Sequence, residues 1–136
     1  MSAFILDSSM TLAFLLADES GEQANKVLER LAEDEAYVPG LWPYEMGNAL
    51  LVAERRGRIM HDDVEALIRE LEKFPIRIVA QPGRRILHEV RAIAARFDLS
   101  VYDASYLHLA LERKLPLSTL DGKLKKAALE AGVEVT

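Results

Sequence analysis

The 136-residue sequence predicts an α/β fold, with a central parallel sheet covered by helices on both faces. Three observations lead there. Short apolar runs such as Ala3-Phe4-Ile5-Leu6 and Ile76-Arg77-Ile78-Val79 are too brief for helices and alternate with longer segments of helical period. Because helical segments separate the runs, the strands need crossover connections and run parallel. The chain is long enough to bury a core, and no linker, repeat or low-complexity tract divides it. Residues 1–136 are therefore expected to form one domain around a sheet of about five strands.

The first strand is expected over residues 3–6, ended by Asp7. Residues 8–17 (SSMTLAFLLA) follow as a helix whose apolar majority places it inside the domain. A second helix over 20–34 carries Ala24, Val27, Leu28 and Leu31 on one face. Tyr37-Val38, closed by Pro39-Gly40, makes a weak second strand. The third helix covers 41–56, with Pro43 in its first turn and Gly57 as the residue beyond its C-cap. Val64, Leu67, Ile68 and Leu71 mark the apolar face of a helix over 62–73, and 76–79 form the third strand. Pro82 opens a helix reaching about Phe97, and Ser100 caps the next, which continues to about Lys114. Residues 117–120 give a fourth strand, 122–130 a last helix, and Val133-Glu134-Val135 a short edge strand after Gly132.

Composition removes several function classes. With no cysteine there are no disulfides, thiolate zinc sites or thiol catalysis, and 3 scattered histidines offer little for an imidazole metal site. The balance of 17 Lys and Arg against 22 Asp and Glu leaves −5, which argues against a general nucleic-acid coat protein. Apolar runs are too short to span a membrane. The start Met1-Ser2-Ala3-Phe4-Ile5-Leu6-Asp7 has no basic leader, so a cytoplasmic location is expected.

Four acids occupy telling positions. Open parallel sheets bind ligands beyond the carboxyl ends of their strands. Asp7 and Asp121 directly follow predicted strands, while Glu45 and Asp103 fall near the starts of predicted helices. Strand ends and helix starts share one sheet edge, so all four can meet in a single cleft. Each also has an ordinary explanation. Asp7 and Asp121 suit helix N-caps, and Ser100-Val101-Tyr102-Asp103 fits a capping box. Glu45 is harder to explain so, because it shares a helical face with Asn48, Ala49 and Val52. Converging carboxylates repel unless protonated or neutralised. An all-oxygen donor set selects the hard cations Mg²⁺ or Mn²⁺, and such a centre suits a phosphodiester.

The stretches Ile5-Leu6-Asp7-Ser8-Ser9, Glu45 with Asn48-Ala49-Leu50, Tyr102-Asp103-Ala104-Ser105-Tyr106 and Thr119-Leu120-Asp121 resemble the successive motifs of PIN-domain ribonucleases. The likeness is strongest to the VapC-type toxins of toxin–antitoxin pairs and covers essentially the whole chain. It implies a PIN-like three-layer α/β/α fold and a Mg²⁺- or Mn²⁺-dependent endoribonuclease. It further implies that Asp7, Glu45 and Asp103 are the principal metal ligands or their supports, with Asp121 completing the metal set. The Thr119 hydroxyl would hydrogen-bond within the cleft, and Ser8 would assist similarly. The implied partners are an RNA substrate, a small cognate antitoxin and a second copy of the chain in a homodimer.

Basic residues cluster at Arg84, His88 and Arg91 with Arg85 and Arg96 nearby, at Arg55, Arg56 and Arg58, and at Lys123, Lys125 and Lys126. Solvated helix faces account for such clusters, and the lysines after Asp121 are the best phosphate candidates. His61, His88 and His108 are read as surface or satisfied residues, and Trp42 and Tyr44 flank Glu45 without forming a stacking platform. Two alternatives remain at this level. A receiver-like signalling domain also uses an acidic Mg²⁺ pocket, but it needs paired acids after the first strand, where this chain has Asp7-Ser8-Ser9. A metal-free interaction module would require every acid to be a cap.

Overall fold

The computed structural model describes residues 2–16 and 21–136. Its elements run in the order β1 (Ala3–Leu6), α1 (Ser8–Leu15), α2 (Glu22–Arg30), β2 (Glu35–Pro39), α3 (Trp42–Arg55), α4 (His61–Glu72) and β3 (Ile76–Val79). Then follow α5 (Gly83–Arg85), a π-helical turn (Ile86–Val90), α6 (Arg91–Phe97), α7 (Val101–Arg113), β4 (Leu117–Ser118) and α8 (Gly122–Glu130). The sheet order is β3-β2-β1-β4, and every pairing is parallel. No helix among the described residues is long and apolar enough to cross a membrane.

The central strand β1 explains the packing. Phe4, Ile5 and Leu6 are all fully buried, as expected of an unbroken apolar strand covered on both faces. Leu117 of β4, Leu124 of α8, and Tyr106 and Leu107 of α7 close over them in one core. Trp42 in the first turn of α3 is buried, and its indole N–H donates to Thr11 Oγ1 at 3.1 Å. Thr11 in turn donates to the Asp7 carbonyl at 2.7 Å. This relay fixes the start of α3 to the start of α1.

Helix ends follow the residue chemistry. Gly57 adopts φ +74°, with Gly57 N–H on the Glu54 carbonyl and Arg58 N–H on the Ala53 carbonyl. That double bond is the Schellman closure of α3. Gly132 closes α8 the same way at φ +83°, through Gly132 N–H to Leu129 and Val133 N–H to Ala128.

The structure departs from the sequence expectation in three places. The sheet has four strands, because the expected strand over 133–135 is reduced to one parallel bridge between Leu117 and Val135. β4 stops at Ser118, since Thr119 and Leu120 leave the ladder to build the turn into α8. The helix expected from Pro82 to Phe97 contains the π turn, where Glu89 accepts from Arg85 and meets His108 Nε2 at 3.1 Å. The expected helix ends at Ala17 and Ser20 lie outside the described residues.

Candidate active site

Four helix starts supply the site. Asp7 is the N-cap of α1, with Oδ1 accepting from Met10 N–H at 2.9 Å. Asp121 is the N-cap of α8, with Oδ1 accepting from Lys123 N–H at 2.9 Å and Leu124 N–H at 3.0 Å. Glu45 lies in the first turn of α3 and Asp103 in that of α7. The N-terminal ends of four helix dipoles thus face an acidic cleft, an arrangement that favours anionic groups. Ser100 makes the forward half of the expected capping box, its hydroxyl accepting from Asp103 N–H at 3.0 Å.

Asp7 is only 4% exposed, and a buried carboxylate needs donors. Ser9 Oγ donates to its Oδ1 and Oδ2 at 2.8 and 2.9 Å, and Thr119 Oγ1 donates to Oδ2. These hydroxyls themselves accept backbone N–H groups: Ser9 from Leu120 at 3.1 Å and Thr119 from Asp121 at 3.0 Å. Two relays therefore latch the turn that carries Asp121 onto Asp7. Glu45 is half-buried and accepts from the Tyr106 hydroxyl at 2.5 Å.

The carboxyls are perturbed by burial and by one another's charge. Burial pushes the Asp7 carboxyl above its usual range against the pull of Thr119, Met10 and Ser9, and the charge of Asp121 adds to the rise. Burial likewise raises Glu45, opposed by Tyr106 and Ser8 and reinforced by the charges of Asp103 and Asp7. Asp103 rises by burial and then by the charge of Asp121, with Ser100 and Lys123 lowering it. Among the described residues, no ion pair within 4 Å is made by any of the four.

All four expected acids and Thr119 are brought together. Ser9 and Tyr106, which the sequence did not single out for the site, join them. Tyr106 stands three residues after Asp103, so helical spacing alone places it on the same side of α7. The histidines stay apart from the cleft. His108 is buried between Glu89 and Glu112, and Arg85 bridges both glutamates. His61 pairs with Glu54 at the surface, and His88 is exposed. Of the lysines after Asp121, Lys123 pairs with Asp98 at 3.5 Å, while Lys125 and Lys126 are exposed.

A family model described as "PIN domain" matches residues 4–130. The chain belongs to the PIN domain family. The receiver-like alternative falls with that match. Among curated PIN relatives, Ribonuclease VapC3 of Pyrobaculum aerophilum is 29% identical over 120 residues, covering 88% of this chain and 90% of that protein. The crystal structure of PAE2754 from P. aerophilum superposes with a TM-score of 0.69 at 28% identity, covering 99% of this chain and 92% of that one. A toxin–antitoxin complex from Klebsiella pneumoniae shares the fold at a TM-score of 0.58 and 14% identity, over 87% of this chain and 86% of that one.

Proposed function

We propose that this PIN domain is the toxin of a toxin–antitoxin pair and hydrolyses RNA phosphodiester bonds as a Mg²⁺- or Mn²⁺-dependent endoribonuclease. The observation that carries the proposal is the convergence of Asp7, Glu45, Asp103 and Asp121 at the carboxyl edge of the sheet. The ribonuclease name of the VapC3 relative and the toxin–antitoxin complex among the fold neighbours support it. So does the failure of capping to account for Glu45, which bonds to Tyr106 rather than to a helix end.

The residues present fit a hard divalent cation. They offer carboxylate and hydroxyl oxygens without sulfur or imidazole, and three of the acids are strained toward protonation by burial and mutual repulsion. Asp7, Glu45 and Asp103 would be its principal holders, with Asp121 completing the set. Such a cation supplies polarisation of the scissile phosphoryl oxygen and a lowered pKa for the attacking water.

The protein's own part is placement. Ser9 and Thr119 hold the Asp7 carboxylate and keep the Asp121 turn against it. Lys125 and Lys126 on α8 offer exposed positive charge beside the cleft for the RNA backbone. The acidic cleft is electrostatically matched to a basic segment of a small antitoxin. Residues 1–136 are proposed to act as one nuclease domain, as a homodimer and in the cytoplasm.

The test is cleavage of RNA by the purified chain with Mg²⁺ or Mn²⁺ and with EDTA. Cleavage confined to the metal-containing reactions is expected. Equal cleavage in EDTA would overturn the metal assignment, and no cleavage under either condition would overturn the ribonuclease assignment.

A further inference from the structure

We propose that Tyr106 is a positioning residue for Glu45: its buried hydroxyl sets the distance between the acid of α3 and the acid of α7. The inference rests on the proposal that these acids hold a divalent cation.

Tyr106 is 1% exposed, and its hydroxyl bonds to a side chain rather than to the backbone. It donates to Glu45 Oε1 at 2.5 Å, across 61 positions of sequence. A phenol is a single donor and an ionised carboxylate is acceptor only, so the bond has one polarity. A donor with an ionised acceptor makes a short, strong bond, as this one is. Engaging Oε1 fixes the plane of the carboxylate while leaving Oε2 available.

The geometry of α7 gives this bond its consequence. Asp103 and Tyr106 stand at i and i+3, neighbours on one helix surface. A bond from Tyr106 to Glu45 therefore ties Glu45 to the same helix that carries Asp103. Two elements contributing acids, α3 and α7, are thus joined at one phenol oxygen. The Trp42–Thr11–Asp7 relay fixes the backbone of α3 against α1, whereas among the described residues it is Tyr106 that hydrogen-bonds the Glu45 side chain itself.

Groups that orient metal ligands typically matter about 10–100-fold in metal affinity or activity. Tyr106→Phe removes the hydroxyl and keeps the buried ring, so packing is retained. The experiment measures Mn²⁺ affinity calorimetrically, and RNA cleavage separately, for wild type, Tyr106→Phe, Glu45→Ala and the double variant. Tyr106→Phe is expected to weaken Mn²⁺ binding by about 10-fold or more. It should lower kcat while leaving KM for RNA within about twofold, because the RNA contacts are untouched. In the Glu45→Ala background, where the acceptor is gone, the same change should have little further effect, as expected of residues acting through one bond.

Mn²⁺ binding and kcat unchanged in Tyr106→Phe would overturn the proposal. So would a full effect of Tyr106→Phe in the Glu45→Ala background, since Tyr106 would then act elsewhere. Wild-type Mn²⁺ binding without RNA cleavage would sink only the ribonuclease assignment and leave the Tyr106 comparison intact. No Mn²⁺ binding by the folded wild type would overturn this inference together with the metal assignment.

Discussion

Asp7 and Asp103 are both acids at helix starts, yet removing their charge should have different consequences for the folded chain. Asp7 uses its two oxygens to cap α1 and to accept two hydroxyls, so its acceptor capacity is largely committed to the structure. An amide at that position would place an N–H₂ group where a hydroxyl donor now points. Asp103 is only half-buried, and Ser100 rather than Asp103 caps α7. Its charge is opposed by burial and by Asp121. Asp103→Asn is therefore expected to abolish RNA cleavage while the thermal midpoint in EDTA stays equal or rises. A lower midpoint corresponding to a stability loss of about 1 kcal/mol, with activity retained, would mean that Asp103 serves the helix rather than the site. The four acids were legible in the sequence because strand ends and helix starts must share an edge in a parallel sheet. Ser9 and Tyr106 were not. Ser9 reaches Asp7 locally, but its contact with the Thr119–Leu120 turn and the Tyr106 bond to Glu45 span 110 or more and 61 positions, which no local spacing records.

Helices and strands place these residues through their ends. The Asp121 carboxylate satisfies two otherwise unpaired N–H groups of α8, and the backbone of the same residue is latched to Asp7 through Thr119. Asp121→Ala is expected to cost about 1 kcal/mol of stability, the usual loss of an N-cap. Asp121→Asn should recover most of it, because Asn caps as well as Asp. Denaturant unfolding of the two variants in EDTA checks this, and equal losses would contradict the capping assignment. At this level the sequence was informative where chemistry is local. Gly57, Pro43 and Ser100 stand at the helix ends expected of them. It was uninformative where tertiary demands override local pattern. Thr119 and Leu120 have strand-like neighbours but are drawn out of β4 by hydroxyl bonds to Ser9 and Asp7. The π turn at Ile86–Val90 lies within an otherwise helical pattern, with its glutamate engaged by Arg85 and His108. Val133–Val135 has strand composition but meets β4 only at Val135.

Over the whole molecule, the net charge of −5 is unevenly placed. Four acids meet at the carboxyl edge of one sheet, and folding raises the carboxyl pKa of three of them. A raised native pKa means that the folded chain holds protons more tightly than the unfolded one. These groups therefore favour folding in mild acid, and that contribution is lost as pH rises through the native values. A divalent cation bound to the ionised cleft reverses the loss, because it binds the native state and competes with protons. Glu89, lowered to about 2 first by Arg85 and then by His108, works in the opposite direction and over a more acidic range. The most direct measurement of the acidic cleft as a cation site is the thermal midpoint from about pH 4, near the ordinary carboxyl range, up to about pH 8, with Mg²⁺ and with EDTA. The midpoint in EDTA should fall as pH rises through the native carboxyl values, and the increment from Mg²⁺ should grow over the same range and disappear in Asp103→Asn. An increment independent of pH, or one that survives in that variant, would contradict the account.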